Sequence, residues 1–228
     1  MAGSRVRRIF RMLVRGAALL VLAFYAICLG ELVALRWINP PTTAVQTERR
    51  LAALWHRKPY RKRQVFAALG RISPDLQHAV ISAEDGRFYQ HHGIDWLEVQ
   101  KVVDKDVEQG KLGRGGSTIT QQLVKNLFLT TNRSLLRKAV EFTLAPAAEV
   151  ILGKRRILEL YLNVIEWGPG IFGAQAASQA WYSVPAAKID RDQAARLAAI
   201  LPAPLRWKPD HMGSYSDEIL RRMALTGW

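Results

Sequence analysis

The sequence predicts an all-α protein, and three observations support this fold class. Apolar residues recur at helical spacing in almost every segment after residue 73. Convincing alternating strand patterns are absent, and residues 16–35 form one long apolar run. Because 49% of the 228 residues are apolar, the chain can form a hydrophobic core in one domain of ordinary size plus a small attachment.

The apolar run predicts one transmembrane helix. Residues 16–35 are apolar except for Glu31, and 20 helical residues span about 30 Å. Five arginines precede the run, so the positive-inside rule places the N-terminus in the cytoplasm and the rest of the chain outside it. A cleaved signal peptide is the alternative, but no small-x-small cleavage site follows. The predicted segments are a basic N-terminus at 1–15, a transmembrane helix at 16–36, a linker and membrane-proximal segment at 37–72, and a globular domain at 73–228.

The globular domain is basic as well. The formal net charge is +14, and most of it lies beyond residue 36. A basic domain favours a polyanion, a phosphate-bearing substrate or an anionic membrane surface. Nucleic acid is a poor candidate, because the domain is predicted outside the cytoplasm and has no helix-turn-helix or RNA-binding signature. The single cysteine, Cys28, cannot form an internal disulfide.

Caps and apolar spacing predict the helices of the domain in chain order. The first begins with Ser73 as cap and Pro74 at the first helical position. A later helix contains Pro146, which is expected to kink or break it. The predicted helical segments are 73–85, 95–110, 117–129, 133–153, 154–168, 174–180, 191–201 and 215–225.

The stretch "EDGRFYQHHGID" at 84–95 places two carboxylates, Glu84 and Asp85, before an aromatic pair, two histidines and a glycine. An acidic helix end that runs into a loop is the simpler explanation. The adjacent histidines would point in different directions on a helix, and no H-E-x-x-H pattern follows. Structural hydrogen bonding by one histidine is therefore favoured over a metal site.

The stretch "GRGGSTITQQLVKNLFL" at 113–129 combines a glycine loop with a helix that has one apolar stripe. A helix N-terminus after glycines can bind an anion, and Ser117 is placed to cap it. The alternative is a flexible loop followed by a solvated polar face. The P-loop pattern is not matched, which disfavours nucleotide hydrolysis. Side chains suited to hold a sugar and a phosphate are Arg114, Ser117, Gln121, Gln122 and Lys125.

The stretch "RSLLRKAVEFTLA" at 133–145 places Arg137, Lys138 and Glu141 on one helical face. A surface salt-bridge set would explain them. However, Arg133 and Lys125 add cations that one glutamate cannot neutralise. The excess of positive charge indicates a pyrophosphate site.

These motifs show a resemblance to a known family. Together with "KRRILELYLNVIEWGPGIFGAQAAS" and "LAAILPAPLRWKPD", they occur in the order found in peptidoglycan glycosyltransferases, over about residues 73–209. The chain resembles the monofunctional, membrane-anchored members. The resemblance implies an all-α, lysozyme-like larger lobe with a smaller membrane-associated lobe. It also implies polymerisation of lipid II into glycan strands at the outer side of the inner membrane.

The resemblance implies a role for each site residue. Glu84 would be the general base that takes the proton from the 4-hydroxyl of the acceptor sugar. The configuration at the anomeric carbon of the donor sugar would be inverted in the product. Glu141 would either hold a divalent cation such as Mg²⁺ or Mn²⁺ or orient Lys138 and Arg137; the sequence leaves both open. The substrate-contacting positions would be Asp85, Arg114, Ser117, Gln121, Gln122, Lys125, Arg133, Arg137 and Lys138.

Further expectations follow from the same resemblance. No organic cofactor is expected, and the partners would be lipid II, the growing glycan, the membrane and proteins of cell-wall synthesis or division. The S-x-x-K, S-D-N and K-T-G motifs are absent, so no transpeptidase activity is expected. The main rival is a lysozyme-like hydrolase that cuts glycan, which would leave the cations unexplained.

Overall fold

The computed structural model describes residues 2–109, 116–132 and 134–228. The chain divides into two compact units, one from Met1 to Ile38 and one from Asn39 to Trp228. The first unit contains a single long helix, α1, at Ala2–Ala34. Within it, Arg7–Ala34 has a mean hydropathy of 2.3 and is long and apolar enough to cross a membrane, which is consistent with the predicted anchor.

The second unit is built mainly from helices, and the predicted all-α class is confirmed. Its helix boundaries follow the predicted segments closely after residue 73, except that the predicted helix 154–168 ends at Val164 and its last three residues form a strand. An additional helix lies in the segment predicted as a linker. The helices are α2 at Ala44–Trp55, α3 at Pro74–Glu84, α4 at Trp96–Gln109, α5 at Ile119–Phe128, α6 at Leu135–Val164, α7 at Ala174–Tyr182, α8 at Arg191–Ile200 and α9 at Gly213–Leu225.

A small sheet completes the second unit. Its strands are β1 at Arg63–Gln64, β2 at Glu166–Gly168 and β3 at Ile171–Phe172, in the order β1-β3-β2. β1 is parallel to β3, and β2 is antiparallel to it. Strands of two or three residues are too short to show an alternating pattern, which explains why they were not predicted.

The core of the second unit lies around α5. This helix packs on α6 and on α2, while α3, α8 and α9 pack together. Ile119, Leu123 and Leu127, the predicted apolar stripe of α5, are all buried. Full burial of each such side chain contributes about 1.5–3 kcal/mol, so α5 is held firmly between its neighbours.

Helix α6 is interrupted at Gly153, which is the boundary between the predicted segments 133–153 and 154–168, and not at Pro146, where the sequence predicts a kink or break. Pro146 lies inside the helix and does not break it. The break comes at Gly153, where φ is 73° and ψ is 159°, a conformation that glycine adopts without steric cost. Lys154 and Glu149 form an ion pair of 2.8 Å across the break. This ion pair joins the two halves of α6, and each half carries a different part of the site.

Candidate active site

Glu84 is the last residue of α3 and is partly buried. The helix begins at Pro74 as expected, although the side chain of Ser73 makes no capping hydrogen bond, so that detail of the prediction is wrong. The backbone leaves the helix at Asp85, with φ −160° and ψ 68°. Glu84 and Asp85 therefore diverge, and the two adjacent carboxylates have different surroundings.

Asp85 is buried and holds the loop and α5 together. One of its oxygens accepts a hydrogen bond of 2.9 Å from the backbone N–H of Ile119, at the start of α5. Both oxygens lie within 3.1 Å of Nε2 of His91. His91 thus braces the loop, as the sequence indicates. Asp85 is 8% exposed and its carboxylate is engaged by these two partners, so its expected contact with substrate stays a prediction.

Gly93 allows the same loop to approach α6. Its φ is 91°, and a Cβ atom there would lie 2.8 Å from the backbone carbon of Ala145. The carbonyl of Gly93 also accepts a hydrogen bond of 2.6 Å from the hydroxyl of Thr118. A larger residue at position 93 would push the loop away from both helices. The glycine therefore fixes the turn that presents Glu84.

The N-terminus of α5 is capped by Thr118, not by Ser117 as predicted. Thr118 and Gln121 form a reciprocal capping box, in which each side chain binds the backbone N–H of the other. Gln121 is fully buried in this role, so its predicted contact with substrate is not supported by its position. Ser117 instead accepts a hydrogen bond of 2.8 Å from Nζ of Lys138.

Gln122 touches the predicted base directly. Its Nε2 donates a hydrogen bond of 2.6 Å to Oε2 of Glu84. Its Oε1 accepts one of 2.9 Å from the hydroxyl of Tyr161, in the second half of α6. Tyr161 was not predicted as a site residue, because in "ILELYLN" it reads as one more apolar position of a helix. Gln122 was predicted, but as a substrate contact.

The surroundings of Glu84 raise its pKa. Burial is the largest cause, and the charge of Asp85 adds a smaller increase. The hydrogen bond from Gln122 and the charge of Lys125 oppose the increase without cancelling it. A glutamate whose pKa is shifted toward neutrality can accept a proton more effectively than an ordinary one.

Arg137, Lys138 and Glu141 lie together, as their spacing predicts. Glu141 is buried, with one oxygen bound by Arg137 and the other 3.1 Å from Nζ of Lys138. Nε of Arg137 is also buried, and it has no hydrogen-bond partner among the described residues. One glutamate thus holds two cations in place.

Lys125 connects the two parts of the site electrostatically. Burial lowers its pKa, and the charges of Arg137 and Lys138 lower it further. The carboxylates of Glu141 and Glu84 act in the opposite direction. Lys125 is therefore coupled to both carboxylates. Together with Arg137 and Lys138 it forms the cationic cluster.

The donor set around Glu141 does not fit a divalent ion. Both carboxylate oxygens are bound by cations, and a metal would have to displace Arg137 or Lys138. A second group, formed by Asp85, His91 and Asp95, brings ligand atoms within 4.8 Å of one another. Asp85 is already bonded to His91 and to the N–H of Ile119, and Asp95 accepts a hydrogen bond from the backbone N–H of Glu98. The geometry therefore favours the alternative in which Glu141 orients its two cations.

Arg114 and Arg133, two of the predicted substrate contacts, lie outside the described residues. The others fall into three groups. Glu84 and Gln122 are bonded to each other, and Lys125 and Ser117 join Arg137, Lys138 and Glu141. Asp85 and Gln121 support the backbone around them.

The fold and the site together define a class of protein: a helical enzyme in which one carboxylate and several cations can act on a substrate that carries negative charge. Comparison with known proteins narrows this class. The transglycosylase family model matches residues 49–225, so the chain belongs to the transglycosylase family.

Three relatives carry the name biosynthetic peptidoglycan transglycosylase. The one from Laribacter hongkongensis is 43% identical over 195 residues, which cover 84% of this chain and 86% of the relative. That from Thiobacillus denitrificans is 53% identical over 152 residues, 67% and 65% of the two chains. That from Pseudomonas entomophila is 39% identical over 231 residues, 100% and 94%. The predicted membership of the peptidoglycan glycosyltransferases is confirmed.

Proposed function

We propose that this peptidoglycan transglycosylase of cell wall biosynthesis polymerises lipid II, with undecaprenyl pyrophosphate as the leaving group. The observation that carries the proposal is that α5 and the residue before its cap contact both parts of the site. Gln122 donates a hydrogen bond to Glu84, whose pKa is raised, and Ser117 accepts one from Lys138, which is bound to Glu141. A base for the acceptor and positive charge for the leaving group are the two requirements of such a transfer.

On the acceptor side, Glu84 takes the proton from the 4-hydroxyl of the acceptor sugar. The hydrogen bond from Gln122 fixes one oxygen of the carboxylate and leaves the other free to accept that proton. The deprotonated hydroxyl attacks the anomeric carbon of the donor from the face opposite the pyrophosphate. The bond to the pyrophosphate oxygen breaks as the new glycosidic bond forms, so the configuration at the anomeric carbon is inverted.

On the donor side, the cationic cluster stabilises the negative charge that develops on the pyrophosphate. Fixed cations in a partly buried site are effective because they need no rearrangement during the reaction. Glu141 keeps Arg137 and Lys138 in place, which lowers the cost of ordering two long side chains.

The product separates this function from that of a hydrolase. A glycan-cutting enzyme needs an acid over a sugar groove but no cations for a pyrophosphate. Purified protein incubated with labelled lipid II is expected to produce long glycan strands. Release of shortened fragments from preformed glycan, with no polymer from lipid II, would contradict the proposal. A membrane-tethered binding protein would give neither product.

The proposal places the catalytic unit on the periplasmic side of the inner membrane, with α1 as a single anchor. The arginines at 7–15 precede an apolar helix, and positive residues favour the cytoplasmic side. A reporter that requires export, fused after Trp228, is expected to be active, and a cytoplasmic reporter at the same point inactive. The reverse pattern would overturn this topology. Interaction with other proteins of cell-wall synthesis or division stays a prediction.

A further inference from the structure

Tyr161 is a buried residue of α6 that contacts the amide of Gln122. Its side chain is 1% exposed, so it is not placed to contact a substrate. Its hydroxyl donates a hydrogen bond of 2.9 Å to Oε1 of Gln122, whose Nε2 donates one of 2.6 Å to Glu84. The three side chains come from α6, α5 and α3. They form a short chain of hydrogen bonds that ends on the carboxylate.

The direction of this chain matters because the glutamine amide has two different ends. The NH₂ end can donate to an ionised carboxylate, whereas the oxygen end would repel it. Both orientations have nearly the same shape, so packing alone does not select one of them. A neighbouring group that can only donate a hydrogen bond selects one orientation, because the amide oxygen must then face that group.

Tyr161 is such a neighbour. Burial raises the pKa of its hydroxyl well above the usual value, and the charges of Glu84 and Asp85 act in the same direction. The hydroxyl therefore keeps its proton over the whole range in which the enzyme works. Since a buried hydroxyl without an acceptor is costly, the oxygen of Gln122 is held toward Tyr161 and the NH₂ end toward Glu84.

We propose that Tyr161 is a positioning residue that acts through Gln122 to hold Glu84 in its ionised, proton-accepting form. The inference rests on the proposed role of Glu84 as the base. It adds a residue outside the predicted set, with a function that needs no contact with either sugar. The role is distinct from packing, because it depends on one oxygen atom of the tyrosine.

Removal of that oxygen has a definite consequence. In Tyr161→Phe the amide of Gln122 loses the partner that fixes its orientation, and its hydrogen bond to Glu84 weakens. That hydrogen bond lowers the pKa of Glu84, so its loss raises the pKa further. The pH at which the rate reaches half of its maximum should move upward. A shift of about one unit corresponds to an about tenfold lower rate on the acidic side, with recovery at higher pH.

The test is the pH dependence of the single-turnover rate with lipid II for four proteins. They are the wild type, Tyr161→Phe, Gln122→Met and the double variant. Tyr161→Phe should shift the pH-dependent rise of the rate to higher pH, while its affinity for lipid II stays within about twofold of the wild type. If Tyr161 acts through Gln122, the second substitution should add nothing in the Gln122→Met background. Additive effects, or an unshifted profile for Tyr161→Phe, would overturn the inference.

Tyr182 offers a matched control. It is a partly buried tyrosine at the end of α7, and its hydroxyl has no hydrogen-bond partner among the described residues. Tyr182→Phe removes the same atom and should leave the profile unchanged; a shift equal to that of Tyr161→Phe would count against the inference. Melting temperatures check folding. If Tyr161→Phe does not fold, the pH profile of Gln122→Met becomes the test. An unchanged pH profile in that variant would overturn the proposal.

Glu84→Gln, added to the same pH series, distinguishes this inference from the proposed function. If the rate of Glu84→Gln rises with pH as in the wild type, Glu84 is not the base and the proposed function fails. If the rise depends on Glu84 but is unaffected by Tyr161→Phe, only the positioning role of Tyr161 fails.

Discussion

Replacement of Glu84 by glutamine is expected to lower the rate of glycan polymerisation by about 10²–10⁴-fold, because a positioned general base contributes about that much. Glutamine keeps the size of the side chain and can still bond to Gln122, but it cannot accept the proton of the acceptor hydroxyl. Binding of lipid II should therefore change little. Single-turnover rates and lipid II binding, measured on the same preparation, separate the two effects.

The pH dependence gives a second measurement of the same residue. A base works only when it is ionised, so the wild-type rate should be low below the pKa of Glu84 and rise through it. Because that pKa is raised, the rise should come at a higher pH than for an ordinary glutamate. Glu84→Gln should lack it.

Glu98, an exposed residue of α4, provides the control, since Glu98→Gln removes an acidic charge without touching the site. Near-normal turnover of Glu84→Gln with the same pH-dependent rise would exclude Glu84 as the base.

The sequence predicted those parts of the structure that depend on local patterns. Helical spacing identified α3 to α9, and the stripe of Ile119, Leu123 and Leu127 is buried as expected. The spacing of Arg137, Lys138 and Glu141 predicted their contact, because residues three and four apart meet on a helix. No such rule exists for β1, which pairs with a strand more than 100 residues later.

The errors at the site have the same origin. Ser117 and Thr118 are both common N-cap residues, with serine the slightly better one, and the choice between them depends on where the chain enters α5. Thr118 also bonds to Gly93, a contact between distant residues that no cap pattern contains. Once Thr118 is the cap, Gln121 falls at the third helical position, where its side chain closes the capping box.

The contacts of Asp85 and Tyr161 could not be predicted for a related reason. The partners of Asp85 include the N–H of Ile119, and that of Tyr161 is Gln122. These contacts join separate helices, and the sequence shows only residue types. A buried tyrosine in an apolar segment gives no signal that its hydroxyl is needed.

Replacement of Arg137 by alanine is expected to lower the rate by about 10²–10³-fold, the loss typical for one fixed group that stabilises developing negative charge. Arg137 binds Glu141 and has a buried Nε without a partner among the described residues, so its removal takes away both a charge and a donor. The main measurement is turnover with lipid II, accompanied by melting temperatures, because Glu141 would remain buried with Lys138 as its bound cation.

Two further variants show which property of Arg137 matters. Arg137→Lys keeps the charge but loses the planar fork, so it should recover only part of the rate. Glu141→Gln removes the group that orients both cations, and it should weaken donor binding without changing the dependence on divalent metal. A changed metal dependence would favour the alternative in which Glu141 holds an ion.

The control for Arg137→Ala must match it in helix and in chemistry. Arg191 is partly exposed, but its Nη1 lies 3.8 Å from Oδ1 of Asp75 and its Nη2 donates a hydrogen bond to the carbonyl of Trp228. Its removal would therefore break contacts within the fold. Arg155 is the better choice, since it is exposed and lies on α6 like Arg137. Arg155→Ala should leave turnover within about twofold of the wild type. Equal losses in the two variants would mean that the effect reflects the overall positive charge of the unit, and the pyrophosphate would then have to be bound elsewhere.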